Sequence, residues 1–191
     1  MRVFALAVLT LLGGCDALFG KDDANVAAVA PAPTAVVAPE PPKQASPALF
    51  HNFQGDKTYN WSATMAELEA TSEGLSFATN GADARINRLA LNFNGADARY
   101  VVVDVTRTAP SADGKWDGTA YYATDNHKFE NQYFAQMLPT STVPNVGERR
   151  KLVWDMSKLV RGGTDWLDSK ITGLRFDLDA GAGGAFIIHS I

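Results

Sequence analysis

From Leu75 onward, apolar side chains recur at every second position in short runs: Leu75 and Phe77; Leu89, Leu91 and Phe93; Val101, Val103 and Val105; Leu152, Trp154 and Met156; Leu174, Phe176 and Leu178; Phe186 and Ile188. A period of two is the spacing at which a strand buries one face and leaves the other in water. Turn-forming pairs separate the runs, with Asn80-Gly81, Asn94-Gly95 and Asp113-Gly114 among them, and these suit antiparallel connections. Only 155–160 and 165–169 read as helical turns. Eight or nine strands with no long helix predict an all-β domain over residues 49–191, an antiparallel β-sandwich of jelly-roll type. A segment of this length holds one core of ordinary size.

The start of the chain reads differently. Arg2 supplies a positive charge, Val3 to Leu12 form an apolar run broken only by Thr10, and Gly13-Gly14 precede Cys15. This is the layout of an export signal, and the run falls short of the roughly 20 apolar residues of a membrane span. Leu12-Gly13-Gly14-Cys15 resembles the lipobox of bacterial lipoproteins. The resemblance implies removal of residues 1–14, diacylglyceryl transfer to the Cys15 thiol and acylation of the new amino terminus. Cys15 has no other cysteine to pair with, and its neighbours offer none of the basic partners that activate a catalytic thiol. Two or three acyl chains would hold it firmly, since one chain alone anchors only marginally. The expected location is the bacterial cell envelope, anchored to a membrane. Asp16 resembles an inner-membrane retention signal of some enterobacterial lipoproteins, and inner against outer membrane stays open.

Residues 15–48 are rich in Ala and Pro, and six of the nine prolines lie between Pro31 and Pro47. Such a composition cannot bury enough surface to offset its ordering entropy and predicts a disordered tether, with a reach on the order of 100 Å at about 3.1 Å per residue.

The net charge of −4 comes with no basic cluster, which excludes the usual nucleic-acid partners. Sequence constellations for catalysis are absent: His51, His127 and His189 lack metal-ligand spacing, and neither HExxH nor GxSxG occurs. Asp177 to Gly181 lacks the later bidentate Glu of a calcium loop and reads as a hairpin end. No enzyme, no catalytic residue, no metal site and no cofactor is expected.

Three segments carry a second resemblance. Phe50 to Asp56, Trp116 to Thr124 with His127 and Tyr133, and Ile171 to Leu178 with the glycine-rich hairpin and closing strand are similar to carbohydrate-binding-module-like, galactose-binding-like jelly rolls of bacteria and phage. The resemblance implies a non-catalytic domain that binds glycans or serves as a structural adaptor. Members often hold a structural calcium with an acidic residue in the last strand; this chain has His189 there, and calcium prefers oxygen ligands. Sugar binding needs aromatic faces beside planar hydrogen-bonding groups. Trp116, Tyr121, Tyr122, Phe129, Tyr133 and Phe134 supply the rings, interleaved with polar residues that include His127. Alternation sends one of Tyr121 and Tyr122 outward, and either choice is open. Arg175 and Asp177 share the face opposite Leu174 and Phe176. The candidate glycan-binding residues are Trp116, Tyr122, His127, Tyr133, Arg175 and Asp177, with Cys15 as the lipidation site. Two partners fit besides the membrane: a glycan or polysaccharide, or an envelope protein bound by the same sandwich.

Overall fold

A computed structural model describes residues 46–55 and 57–191, so the export signal, Cys15 and the tether up to residue 45 lie outside the described residues. Ten strands follow one another: β1 Ser62–Thr64, β2 Ala66–Thr71, β3 Gly74–Thr79, β4 Arg85–Asn94, β5 Tyr100–Ala109, β6 Trp116–Thr124, β7 Phe134–Gln136, β8 Arg149–Asp155, β9 Lys170–Asp179 and β10 Ala185–Ser190. One helical turn, α1 Asp165–Asp168, and a 3-10 turn, Gly95–Asp97, complete the elements.

The strands form two five-stranded antiparallel sheets, ordered β1-β4-β9-β6-β7 and β2-β3-β10-β5-β8. The pairs β3·β10, β4·β9, β5·β8 and β6·β7 are nested within one another along the chain. That is the pairing of one long hairpin rolled up, with β10·β5 and β9·β6 closing each sheet. The expected jelly roll is therefore present.

Between the sheets lie Leu75, Phe77, Val103, Val105, Leu152, Trp154, Leu174, Phe176, Leu178, Phe186 and Ile188, each at most 1% exposed. Each large side chain of this kind contributes about 1.5–3 kcal/mol by leaving water. Trp154 donates its indole N–H to the Gly118 carbonyl at 2.9 Å, which satisfies its one polar atom within the core.

Two features depart from the expected pattern. Ala66–Thr71 carries Ala and Glu, residues that strands disfavour, yet it pairs along its whole length with β3. The open edge of β3 selects it: Leu68 lies opposite Phe77, while Glu67 and Glu69 face solvent. Outward glutamates on an edge also discourage further strand addition. The second departure is in β4, where Leu89, Leu91 and Phe93 were expected on one face. Ala90 has a φ of 58° and the register with β9 shifts between Leu89 and Phe93. This bulge separates their faces: Leu89 is outward, 58% exposed, while Leu91 stays buried.

The stretch 155–160 forms a hydrogen-bonded turn directly after β8 rather than a helix. Asp155, 4% exposed, accepts both Arg99 guanidinium bonds at 3.2 and 3.0 Å and further bonds from the Ser157 hydroxyl and amide. The Arg99 hydrogen bonds and then the Ser157 bonds hold its carboxyl down at about 2, against the opposing effect of burial. Because the folded value lies below the unfolded one, this carboxylate stabilises the fold above the ordinary carboxylate range, and that stability is lost as pH falls through about 2. Urea titrations at decreasing acidic pH are expected to show a steep fall in stability in the wild type and a shallower one in Asp155→Asn. Equal slopes would contradict this role.

Candidate functional site

The outward face of the β1-β4-β9-β6-β7 sheet is built by alternation. Ile86, Leu174, Phe176 and Tyr122 point into the core, so Arg85, Asn87, Arg175, Asp177 and Tyr121 project the other way. Asn87, Arg175 and Tyr121 occupy one row across β4, β9 and β6. Arg175 donates from Nε to Asp177 Oδ1 at 2.7 Å, from Nη2 to Asp177 Oδ2, and from Nη2 to Asp83 Oδ1 at 2.8 Å. Its guanidinium carbon lies 4.6 Å from the Tyr121 ring centre, within cation–π range. Burial pushes the Asp177 carboxyl up, against the pull of the Arg175 guanidinium. Arg175 is thereby fixed in position by two carboxylates and a ring.

Two recesses share this face. One, of about 420 Å³, is lined by Thr64, Arg85, Asn87, Leu89, Lys128, Phe129 and Arg175. The other, of about 380 Å³, includes Leu89, Ala90, Ala123, Lys128 and Phe129. Gly173 lies beneath Phe129 and Leu89, which border both recesses: a Cβ there would stand 2.9 Å from the Phe129 ring and 3.0 Å from Leu89 Cδ2. The missing side chain lets both groups lean over the sheet.

Phe129 and Lys128 reach the groove from the segment between β6 and β7, which is held by its neighbours. The Thr124 hydroxyl accepts from the Asn126 and His127 amides. The His127 ring stacks on Tyr133 with centroids 3.5 Å apart, and its Nε2 lies 2.9 Å from Asp165 Oδ2. Tyr122 donates its hydroxyl to the same carboxylate oxygen at 3.0 Å. Burial, with Asp165 alongside, pushes the Tyr122 phenol up. Asp165 thus ties the segment to the start of α1.

The six residues expected to bind a glycan therefore separate. Arg175 and Asp177 lie on the groove face, as their alternation implied. Tyr122 does not: it is fully buried, because it pairs with the inward-facing Leu174 while Tyr121 pairs with the outward-facing Arg175. Tyr121 is the outward ring. His127, whose side chain is 7% exposed, borders the second recess, and Tyr133, stacked on it, lines a separate recess with Gln132, Arg161 and Asp165. Trp116 is half-buried at another edge, packed 6.0 Å from Phe186, with its indole nitrogen enclosed. Arg85, Asn87 and Leu89 escaped notice in the sequence. They are the odd-numbered positions beside the inward-facing Ile86, and the bulge explains why Leu91 and Phe93 do not share the face of Leu89.

His189, at the position where the resemblance places a calcium-binding aspartate, has its Nε2 2.8 Å from Thr106 Oγ1 and its Nδ1 3.0 Å from the Glu73 carbonyl. Both ring nitrogens are thus engaged in hydrogen bonding. Among the described residues no group of three or more His, Cys, Asp or Glu side chains converges to hold a metal. No protein-family model matches the chain, and no curated protein matches it either.

Proposed function

We propose that this protein is a membrane-anchored, non-catalytic lipoprotein whose sandwich binds a glycan in the groove of the β1-β4-β9-β6-β7 sheet. The observation that carries the reading is the recess between Arg175, Asn87 and Arg85 on one side and Phe129 on the other. Planar polar groups matched to hydroxyl pairs stand beside an apolar ring edge, and Arg175 is held rigid in advance by Asp83 and Asp177. Pre-organisation of this kind lowers the cost of binding a flexible chain. Cys15, carrying lipid after removal of residues 1–14, would hold the domain at the bacterial envelope through the Ala/Pro-rich tether.

A polysaccharide pull-down with the full chain in detergent tests the groove. Retention on an insoluble glycan is expected for the wild type and for Trp116→Phe, with at least tenfold weaker retention for Arg175→Ala and Phe129→Ala. Equal retention of all four would remove the groove from the reading. For the anchor, labelled palmitate should enter the wild type and not Cys15→Ser.

An envelope protein as partner is the second reading, favoured by the opposite sheet. There Tyr100 is 50% exposed and Val102 36% exposed, beside an apolar recess lined by Pro47, Leu49 and Phe93. Tyr100→Ala would leave glycan retention unchanged on the first reading.

A further inference from the structure

The groove has two chemically different halves, and their arrangement narrows the ligand. Resting on the glycan reading, we infer that the sugar it takes carries an acetamido group: an N-acetylated glycan rather than one bearing hydroxyls alone. The polar half holds Arg85, Asn87, Thr64 and Arg175. The adjoining half exposes mainly carbon, with Leu89, Ala90, Ala123 and Phe129 beside Thr124, His127 and Thr172, and Phe129 and Leu89 are seated over Gly173. Leu89, Lys128 and Phe129 border both halves, so one substituent can lie across the divide.

A hydroxyl placed against that carbon would give up its water partners without a matching gain. A methyl group suits it. An acetamido group supplies that methyl on a short polar stem, with an N–H donor and a carbonyl acceptor beside it. Asn87 spends its amide Nδ2–H on the Ser62 hydroxyl at 3.2 Å, which leaves its Oδ1 to accept the N–H. Lys128 and Arg85, which line the same recess, can donate to the carbonyl. The Lys128 ammonium disfavours the free ammonium of the deacetylated sugar, whereas Arg85 and Arg175 are already paired with Asp83 and Asp177.

The test is calorimetric titration of the full chain in detergent with three oligosaccharides of equal length: an N-acetylglucosamine oligomer, its deacetylated form and a glucose oligomer with the same linkage. A methyl in a fitted apolar pocket discriminates by about 10–200-fold, so the acetylated oligomer should bind at least tenfold tighter than either other. Leu89→Ser alters an exposed side chain and should bring the acetylated and glucose oligomers within about twofold of each other. Gly173→Ala, whose Cβ would displace Phe129 and Leu89, should act in the same direction. Equal affinities of the wild type for acetylated and glucose oligomers would overturn the inference and leave the glycan reading standing. Binding to none of the three, nor to any glycan in the pull-down, would overturn both.

Discussion

Arg107→Met is expected to destabilise the protein by about 3–5 kcal/mol, the usual cost of stranding one member of a buried ion pair. Arg107 comes from β5 of one sheet and Asp179 from the end of β9 in the other, and their side chains are 9% and 0% exposed. The guanidinium Nη2 lies 3.3 and 3.4 Å from the two carboxylate oxygens, and Ser111 Oγ donates to Oδ1 at 3.1 Å. Gly184 packs against the same carboxylate, so closely that a Cβ would collide with it. Without Arg107 the buried carboxylate keeps only its bonds to Ser111. Replacing both partners, as in Arg107→Met/Asp179→Leu, should recover most of the loss, because the uncompensated charge is then gone.

The pH dependence of that variant has a definite sign. Burial already pushes the Asp179 carboxyl up, opposed by Arg107 and Ser111, and removal of Arg107 raises it further. A folded value above the unfolded one makes the folded state hold a proton that the unfolded chain releases. The associated stability is present at low pH and lost as pH rises through the folded value. Arg107→Met should therefore fall further below wild type at about pH 7 than at about pH 4 in urea titrations, since the charged carboxylate carries the penalty. A deficit independent of pH would show that packing, not charge, is what the arginine supplies.

Trp166→Ala carries the second large effect, about 3–5 kcal/mol for the loss of a fully buried indole. Thermal denaturation should register it as a fall in Tm of roughly 10 °C. The ring is 0% exposed, and its N–H is shared between the Gly95 and Ala98 carbonyls at 2.9 Å each. It packs edge-on to Tyr122 at 5.2 Å. Gly95 sits so close to the Trp166 carbonyl that no Cβ fits between them, so the tryptophan and the turn after β4 form one unit. The damage should reach the groove. Trp166 follows Asp165, the carboxylate that meets His127 and Tyr122, and those contacts hold the segment presenting Lys128 and Phe129. Weaker glycan retention below the variant's own melting range is the expected second readout, and wild-type retention there would uncouple the turn from the groove.

Parts of this organisation were open to reading by periodicity. Val101, Val103 and Val105 share one face and are buried, and Trp154, which alternates with Leu152 and Met156, is fully enclosed. The outward placement of Arg175 and Asp177 followed from Leu174 and Phe176 by the same rule. Periodicity was silent where it had nothing to count. Ala66–Thr71 lacks the residues that favour strands, and its strand exists because β3 offers a free edge. At Tyr121-Tyr122 the rule predicted one ring inward without naming which, and the register against β9 decided. Leu89 was misplaced because an extra residue in β4 reverses every face after it, and no local residue type announces a bulge at Ala90.

What the sequence determines by itself is the class of fold and the face of each regular strand, because a two-residue period leaves a chain of this length little choice but stacked antiparallel sheets. It also carries the L-G-G-C pattern at Cys15, whose meaning is chemical and local. Only the tertiary structure decides which side chains meet: that Asp165 gathers Tyr122 and His127 from sites 43 and 38 residues away, and that Phe129 leans over Gly173. Those contacts depend on strand register and on one bulge. Both are set by the packing of one sheet against the other, a sum over distant residues that no short stretch of the chain contains.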